Sequence, residues 1–369
     1  MRLGVGAALV DGETVPGDVA IEDGVVAEVG LAPAGGGLAV PGFVDAHING
    51  YAGVDFLRTD LDGYRSARAA LAGTGVVAFQ PTFVSSAPAA YAEPSAVAAA
   101  AVEERDGLPL VIGLHLEGPF LAPEWAGAHD PAHLRSPDPA LLDELVGLGP
   151  VTMVTLAPEL PGALDAVGEL AARGIVVSCG HSDADAEAAD AAFAAGAGAI
   201  THVHNAHRRW RPRDPGLGGV ALVRPGVWVQ AIVDGVHLAP EAALAAFLTA
   251  RERLVVVTDA IEAAGAREGA YKLGDRPIEV RDGAVRLPDG TLAGSVATID
   301  QAVRRLVAQG VPTAAAVHAA STAPARMLGR PDLGVLRPGA PAHLTVLDDD
   351  LMVTRTVVAG AEAFATASA

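Results

Sequence analysis

The chain has 369 residues, 51% of them hydrophobic, enough to bury one large core or a large and a small one. Its formal net charge of −19 argues against a nucleic-acid or anionic-membrane binder, since both need a basic surface to displace counterions. One cysteine, Cys179, excludes an intrachain disulfide framework and fits a reducing compartment.

The opening stretch "MRLGVGAALVDGETV" meets Asp11 before an apolar run of signal-peptide length forms, and no run approaches the roughly 20 apolar residues of a membrane helix. A cytoplasmic protein is expected. Residues 1–40 carry short, Gly-punctuated, Val-rich runs, predicted as small strands and hairpins. From residue 38 the texture changes: β-branched runs alternate with Ala-rich segments of helical period, the alternation of a parallel βα sheet. About eight such units fill residues 41–334, the length of a (β/α)8 TIM-type barrel.

Nearly every run turns polar at its C-terminal edge, in order His47, Gln80, Glu117, Glu159, His181, His202, His237 and Asp259. A barrel gathers those edges around one opening. A doubly wound open sheet would want a Gly-rich phosphate turn after its first strand, which "HINGYAGVDF" does not supply. Residues 266–293 break the rhythm and are predicted as an inserted hairpin after the eighth strand. Helical sequence returns at 298–309 and 312–328, and residues 335–369 are strand-like again. They are expected to pair with residues 1–40 in a small β-sandwich built from both chain ends.

Three barrel-end residues, Glu117, His181 and His202, have the types of a catalytic metal set: one carboxylate, two imidazoles and an open fourth position. His115 and Glu117 lie two apart on one strand and face the same way, as do His202 and His204, so there are more candidates than ligand places. Asp259 ends the last strand, beside the first in a closed barrel. A carboxylate there can accept a proton from an attacking water and deliver it to a leaving amine. Two-metal hydrolases of this barrel class commonly bridge their ions with a carboxylated lysine after strand four. That strand ends here in "TLAPE", and the only lysine, Lys272, lies in the inserted segment, so a lysine-bridged centre is excluded. The segment "HNAHRRWRPRDPG" packs Arg208, Arg209, Arg211 and Arg213 into six residues just beyond His202. Guanidinium groups match phosphate oxygens, although most of these arginines are expected to pair with acidic neighbours.

The motifs "PGFVDAHING", "HLEGPFL", "GAHDP", "GHS", "THVHNA", "RDPG", "DGVHL", "TDA" and "LAGS" run nearly end to end, followed by "STAPARMLG" and "RPGAPAHLTVLD". In that order the chain resembles the N-acetylglucosamine-6-phosphate deacetylases of the metal-dependent amidohydrolase superfamily. The resemblance implies that Glu117, His181 and His202 hold a divalent metal and that Asp259 is the general base and acid. It further implies that His129 touches the sugar, that His237 contacts substrate, and that Arg213 binds phosphate with the backbone at Asn205 and Ala206. One tight ion is expected, zinc first, with iron, manganese or cobalt as alternatives, because this ligand set does not fix identity. His47 is followed by Asn49 rather than a second histidine, a half-kept pair that leaves at most a loosely held second ion at His47 with Glu117 and Asp259. Family members commonly form homodimers with the phosphate site close to the subunit interface.

The chain departs from the family pattern at His204-Asn205-Ala206-His207, where an aromatic followed by "NAM" is usual, and in the Arg-rich segment after it. Both departures bear on the sugar pocket. The leading expectation is hydrolysis of the acetamide of N-acetylglucosamine 6-phosphate in amino-sugar metabolism. N-acetylgalactosamine 6-phosphate or another N-acyl amine is the alternative substrate, and a non-catalytic binding barrel the remote one. Cys179 is expected to be a small buried strand residue.

Overall fold

In the computed structural model, which describes residues 1–366, the eight apolar runs form one parallel ring. Its strands are Phe43–Ile48, Val76–Val84, Leu114–Glu117, Val151–Leu156, Val176–Cys179, Ala199–Ile200, Trp228–Ile232 and Leu254–Val257, each hydrogen-bonded to the next. The ring closes where the last strand meets the first. The Asp259 amide donates to the His47 carbonyl (2.8 Å), and the Asn49 amide donates to the Ala260 carbonyl (2.7 Å). All nine residues of Val76–Val84 are buried, which is why the run shows no alternation.

The helices that follow the strands lie outside the ring, and some start on acidic caps. Asp60 accepts from the Gly63 amide ahead of Leu61–Ala72, and Asp185 accepts from the Ala188 amide ahead of Ala186–Ala195. Each returns the chain to the start of the next strand. Inside the ring, Ala46, Met153, Ala199, Ile232, Val255 and Val257 pack with Ala323 and Met327 of the helix Thr322–Met327, which fills one end. The polar rim is therefore left at the other end.

Two local expectations change. Gln80 was placed at the end of the second strand; the strand instead runs on to Val84 and buries Gln80 in the interior, where its amide donates to Thr152. The segment after the eighth strand holds three antiparallel strands, Gly269–Leu273, Arg276–Arg281 and Ala284–Arg286. The two-residue connection Asp282-Gly283 takes positive φ at both positions (51° and 71°), the geometry that joins twisted strands tightly and that the sequence "DG" favours.

Both chain ends build a second, six-stranded sheet in the order Glu13–Pro16, Ala7–Val10, Leu38–Pro41, Leu344–Leu347, Val353–Val358, Ala361–Ala365. The hairpin of Asp18–Glu22 and Val25–Leu31 covers it, with Val19, Ile21 and Val26 packed on Ala8, Ala39, Leu344 and Val357. No helix of the described residues is long and apolar enough to cross a membrane.

Candidate active site

Strand pleating sends Glu117, the last residue of the third strand, to the open end of the ring, where it is 3% exposed. His181, His202 and Asp259 follow the fifth, sixth and eighth strands, and each takes a left-handed backbone (φ 50°, 28° and 50°). Such conformations are unfavourable for non-glycine residues and gather where geometry serves function. At Asp259 the "LAGS" segment over-determines the bend. The Ser295 amide donates to the Asp259 carbonyl (2.8 Å), and the Ser295 hydroxyl donates to the Thr258 carbonyl (2.6 Å). Gly294 lies so close that a Cβ there would sit 2.9 Å from the Asp259 carbonyl oxygen.

Three donor atoms form a near-equilateral triangle. His181 Nε2 and His202 Nε2 are 3.1 Å apart, and each is 3.2 Å from Glu117 Oε1. Ligands bonded tetrahedrally at 2.0–2.1 Å to one ion lie about 3.3 Å from each other, so the triangle fits a divalent cation. Tautomers support the fit. His181 Nδ1 donates to the Trp125 carbonyl (2.9 Å) and His202 Nδ1 donates to the Asn205 carbonyl (3.2 Å), leaving both Nε2 lone pairs turned inward.

His129 also lies within ligand range of Glu117 and His181. Its Nδ1, however, accepts the Ser85 backbone amide (3.2 Å), which puts the proton on Nε2, 3.4 Å from Glu117 Oε2. A ring presenting N–H is a donor, not a ligand. His115 sits one layer deeper, bonded to Thr82 (3.0 Å) and Thr155 (2.8 Å), with its ring edge-on to His47.

The second oxygen of Glu117 faces a different set. His47 Nε2 lies 3.5 Å from Glu117 Oε2 and 3.3 Å from Asp259 Oδ1, and these three residues are also close enough to share an ion. Asn49 Nδ2 donates to Asp259 Oδ1 at 2.6 Å. Burial drives the Glu117 carboxyl up, but the charge of His47 and the hydrogen bond from His129 hold it well below the usual carboxylate range. Burial likewise drives His47 toward its neutral form, and the Glu117 and Asp259 carboxylates override it.

These groups share a cleft of about 500 Å³, within the range of small-molecule sites. His129, His181, His202, Asn205, Ala206, His237 and Asp259 line it. Arg213 does not: it is exposed and lies outside the lining, while Arg209 of the same run and Arg286 of the inserted sheet are on it. Arg208 pairs with Asp183 (3.0 Å) and Asp214 (2.9 Å). Glu159, just beyond the fourth strand, accepts from the Ser182 hydroxyl (2.7 Å) and so braces the loop that carries His181. Cys179 is buried in its strand.

Residues 38–364 match the amidohydrolase family model, and over 345 residues the chain is 41% identical to N-acetylglucosamine-6-phosphate deacetylase of Mus musculus, covering 88% of this chain and 83% of the relative. This chain belongs to the N-acetylglucosamine-6-phosphate deacetylase family of amidohydrolases. A second family relative, N-acetylgalactosamine-6-phosphate deacetylase of Escherichia coli O157:H7, is 37% identical over 350 residues, 92% of this chain and 93% of that one. Among solved structures, a mutant deacetylase of Mycobacterium smegmatis in complex with N-acetyl-D-glucosamine-6-phosphate superposes with a TM-score of 0.94 at 36% identity over 99% of both chains. The Thermotoga maritima deacetylase gives 0.92 at 33% identity, over 99% of this chain and all of that one. Family membership accounts for the motif order. Sequence reasoning did not reach Ser85, Arg286 or the bond from Asn49, because each reaches the site through a fold contact that no local pattern announces.

Proposed function

We propose that this enzyme hydrolyses the acetamide of N-acetylglucosamine 6-phosphate to glucosamine 6-phosphate and acetate. The observation that carries the reading is the Glu117–His181–His202 triangle set beside Asp259 in one cleft. A divalent cation held by that triangle supplies Lewis acidity, which lowers the pKa of water and polarises a carbonyl. Zinc suits one carboxylate and two imidazoles with an open position. Asp259 takes the proton of the attacking water and returns it to the departing amine, so that the C–N bond breaks with the nitrogen leaving neutral. The Nε2–H of His129, 3.4 Å from Glu117 Oε2 and on the cleft lining, turns to the substrate when it binds, and Glu117 stays ionised to hold its share of the positive charge.

The sugar phosphate is assigned to the far side of the cleft, against the backbone of Asn205 and Ala206 and the ring of His237. The anion there needs an arginine in a chain of net charge −19, and the Arg209–Arg213 run is the one nearest these residues in sequence. The working unit is proposed to be a homodimer, on the strength of the family resemblance, and its compartment the reducing cytoplasm, which fits a single cysteine.

Acetate release from N-acetylglucosamine 6-phosphate by purified, metal-loaded protein tests the reading, and absence of release at any divalent metal ends it. A second substrate reading follows from the 37% identity to the galactosamine enzyme. The two sugars differ at one hydroxyl, and the ratio of kcat/KM for the two epimers decides between them.

A further inference from the structure

The loop after the seventh barrel strand pairs His237, assigned above to the substrate, with a carboxylate that the chemistry above leaves out. Asp234 Oδ1 accepts the backbone amides of Val236 (2.8 Å) and His237 (2.7 Å), and Oδ2 faces His237 Nδ1 at 2.7 Å. Gly235 between them takes φ +79°, which lets the chain double back so that one carboxylate reaches both targets. The two side chains are only 9% and 5% exposed.

A carboxylate that receives two fixed amide donors is held in its ionised form and only accepts. His237 Nδ1 must then carry a proton, and the ring is locked with Nε2 as its free end. That atom has no protein partner among the described residues, and His237 lines the cleft. The arrangement resembles the carboxylate–imidazole pairs that orient a working histidine elsewhere, but it stands on the wall of the cleft, apart from the metal triangle and Asp259.

We propose that Asp234 is a positioning residue that fixes His237 so that Nε2 meets the anionic end of the substrate. The inference rests on the phosphosugar reading above. Between a carboxylate on one nitrogen and a phosphate oxygen on the other, the imidazole carries a proton on each, and both contacts are charge-assisted hydrogen bonds. Asp234 thus balances the ring's charge and sets its direction without touching substrate.

The test uses calorimetric binding of glucosamine 6-phosphate and of glucosamine to metal-loaded enzyme. Asp234→Asn is expected to weaken glucosamine 6-phosphate about tenfold and to leave glucosamine and metal content unchanged. In a double-mutant cycle, Asp234→Asn added to His237→Asn is expected to produce no further loss. Equal weakening of both sugars, or a full further loss in the double variant, overturns the proposal and leaves the deacetylase reading standing. A wild type that does not distinguish the two sugars removes the phosphosugar reading itself, and the proposal with it. Nitrogen NMR of wild-type His237 gives a check that needs no variant: Nδ1 is expected protonated throughout, with Nε2 gaining its proton when glucosamine 6-phosphate is added. An unprotonated Nδ1 overturns the proposal.

Discussion

The side-chain amide of Asn49 donates to Asp259 at 2.6 Å, on the same carboxylate oxygen that faces His47 at 3.3 Å. One oxygen of the proposed base is therefore anchored and the other is left to exchange protons. Asn49→Ala frees the carboxylate to rotate. It is expected to lower kcat by roughly 10–100-fold, the usual penalty for losing a supporting hydrogen bond at such a site, with KM for N-acetylglucosamine 6-phosphate nearly unchanged. Steady-state kinetics on the two proteins check this, and an unchanged kcat would show that His47 and the backbone suffice.

Asp259→Asn keeps the shape and the bond geometry at Asn49 but removes the basic oxygen. Acetate release is expected to fall by about 10²–10⁴-fold while metal content measured by elemental analysis stays at the wild-type level. If activity survives, the proton carrier is another group.

His181→Asn and His202→Asn each remove one corner of the triangle. Both variants are expected to be purified with little metal, and chelator-treated wild type is expected to lose activity and regain it on adding zinc. His129→Asn, by contrast, should retain its metal and lose kcat, because the ring presents N–H to Glu117 rather than a lone pair. Equal metal loss in all three variants would place His129 among the ligands.

Arginine variants locate the phosphate contact. Arg209 lines the cleft and Arg213 lies exposed beyond it. Arg209→Ala and Arg213→Ala are each to be assayed with N-acetylglucosamine 6-phosphate and with N-acetylglucosamine. The variant that raises KM only for the phosphorylated sugar identifies the residue, and about tenfold or more is expected for a lost guanidinium–phosphate pair. If neither variant does so, the Arg-rich run has no role in binding.

The folded state also carries a pH signature away from the site. Burial pushes the His343 imidazole down to about 4, against the pull of Asp332. The unfolded chain, with an ordinary histidine, binds more protons between those two values, so this residue's contribution is complete above pH 6.5 and is lost as pH falls toward 4. Between pH 7 and pH 5 the loss is about 2 kcal/mol. His343→Asn keeps an acceptor for the Ala359 amide and is expected to flatten that part of the acid limb in urea titrations at the two pH values. Equal pH sensitivity in variant and wild type would assign the acid limb to other groups.

The barrel and its rim could be read from the chain because each strand is a buried β-branched run that ends on a polar residue, and barrel closure does the rest. Glu117, His181, His202 and Asp259 converge as expected for that reason. Gln80 was misplaced because its strand is buried on both faces, so an interior polar residue looks like a terminus. Asn49 was visible only as an imidazole that was missing. Its positive contribution depends on a partner 210 residues away, and Ser85 acts through a backbone amide that any residue type would supply. Arg286 reaches the cleft from a three-stranded insertion whose position over the rim no periodicity encodes.

Where the ring closes, the same residues do two jobs: the amide of Asp259 and the carbonyl of His47 stitch the last strand to the first. Any fraying at this seam swings the proposed proton carrier away from its companions, long before the helices outside need loosen. Catalytic turnover should thus act as a sensitive gauge of seam integrity, failing on gentle heating while circular dichroism still reports an intact protein.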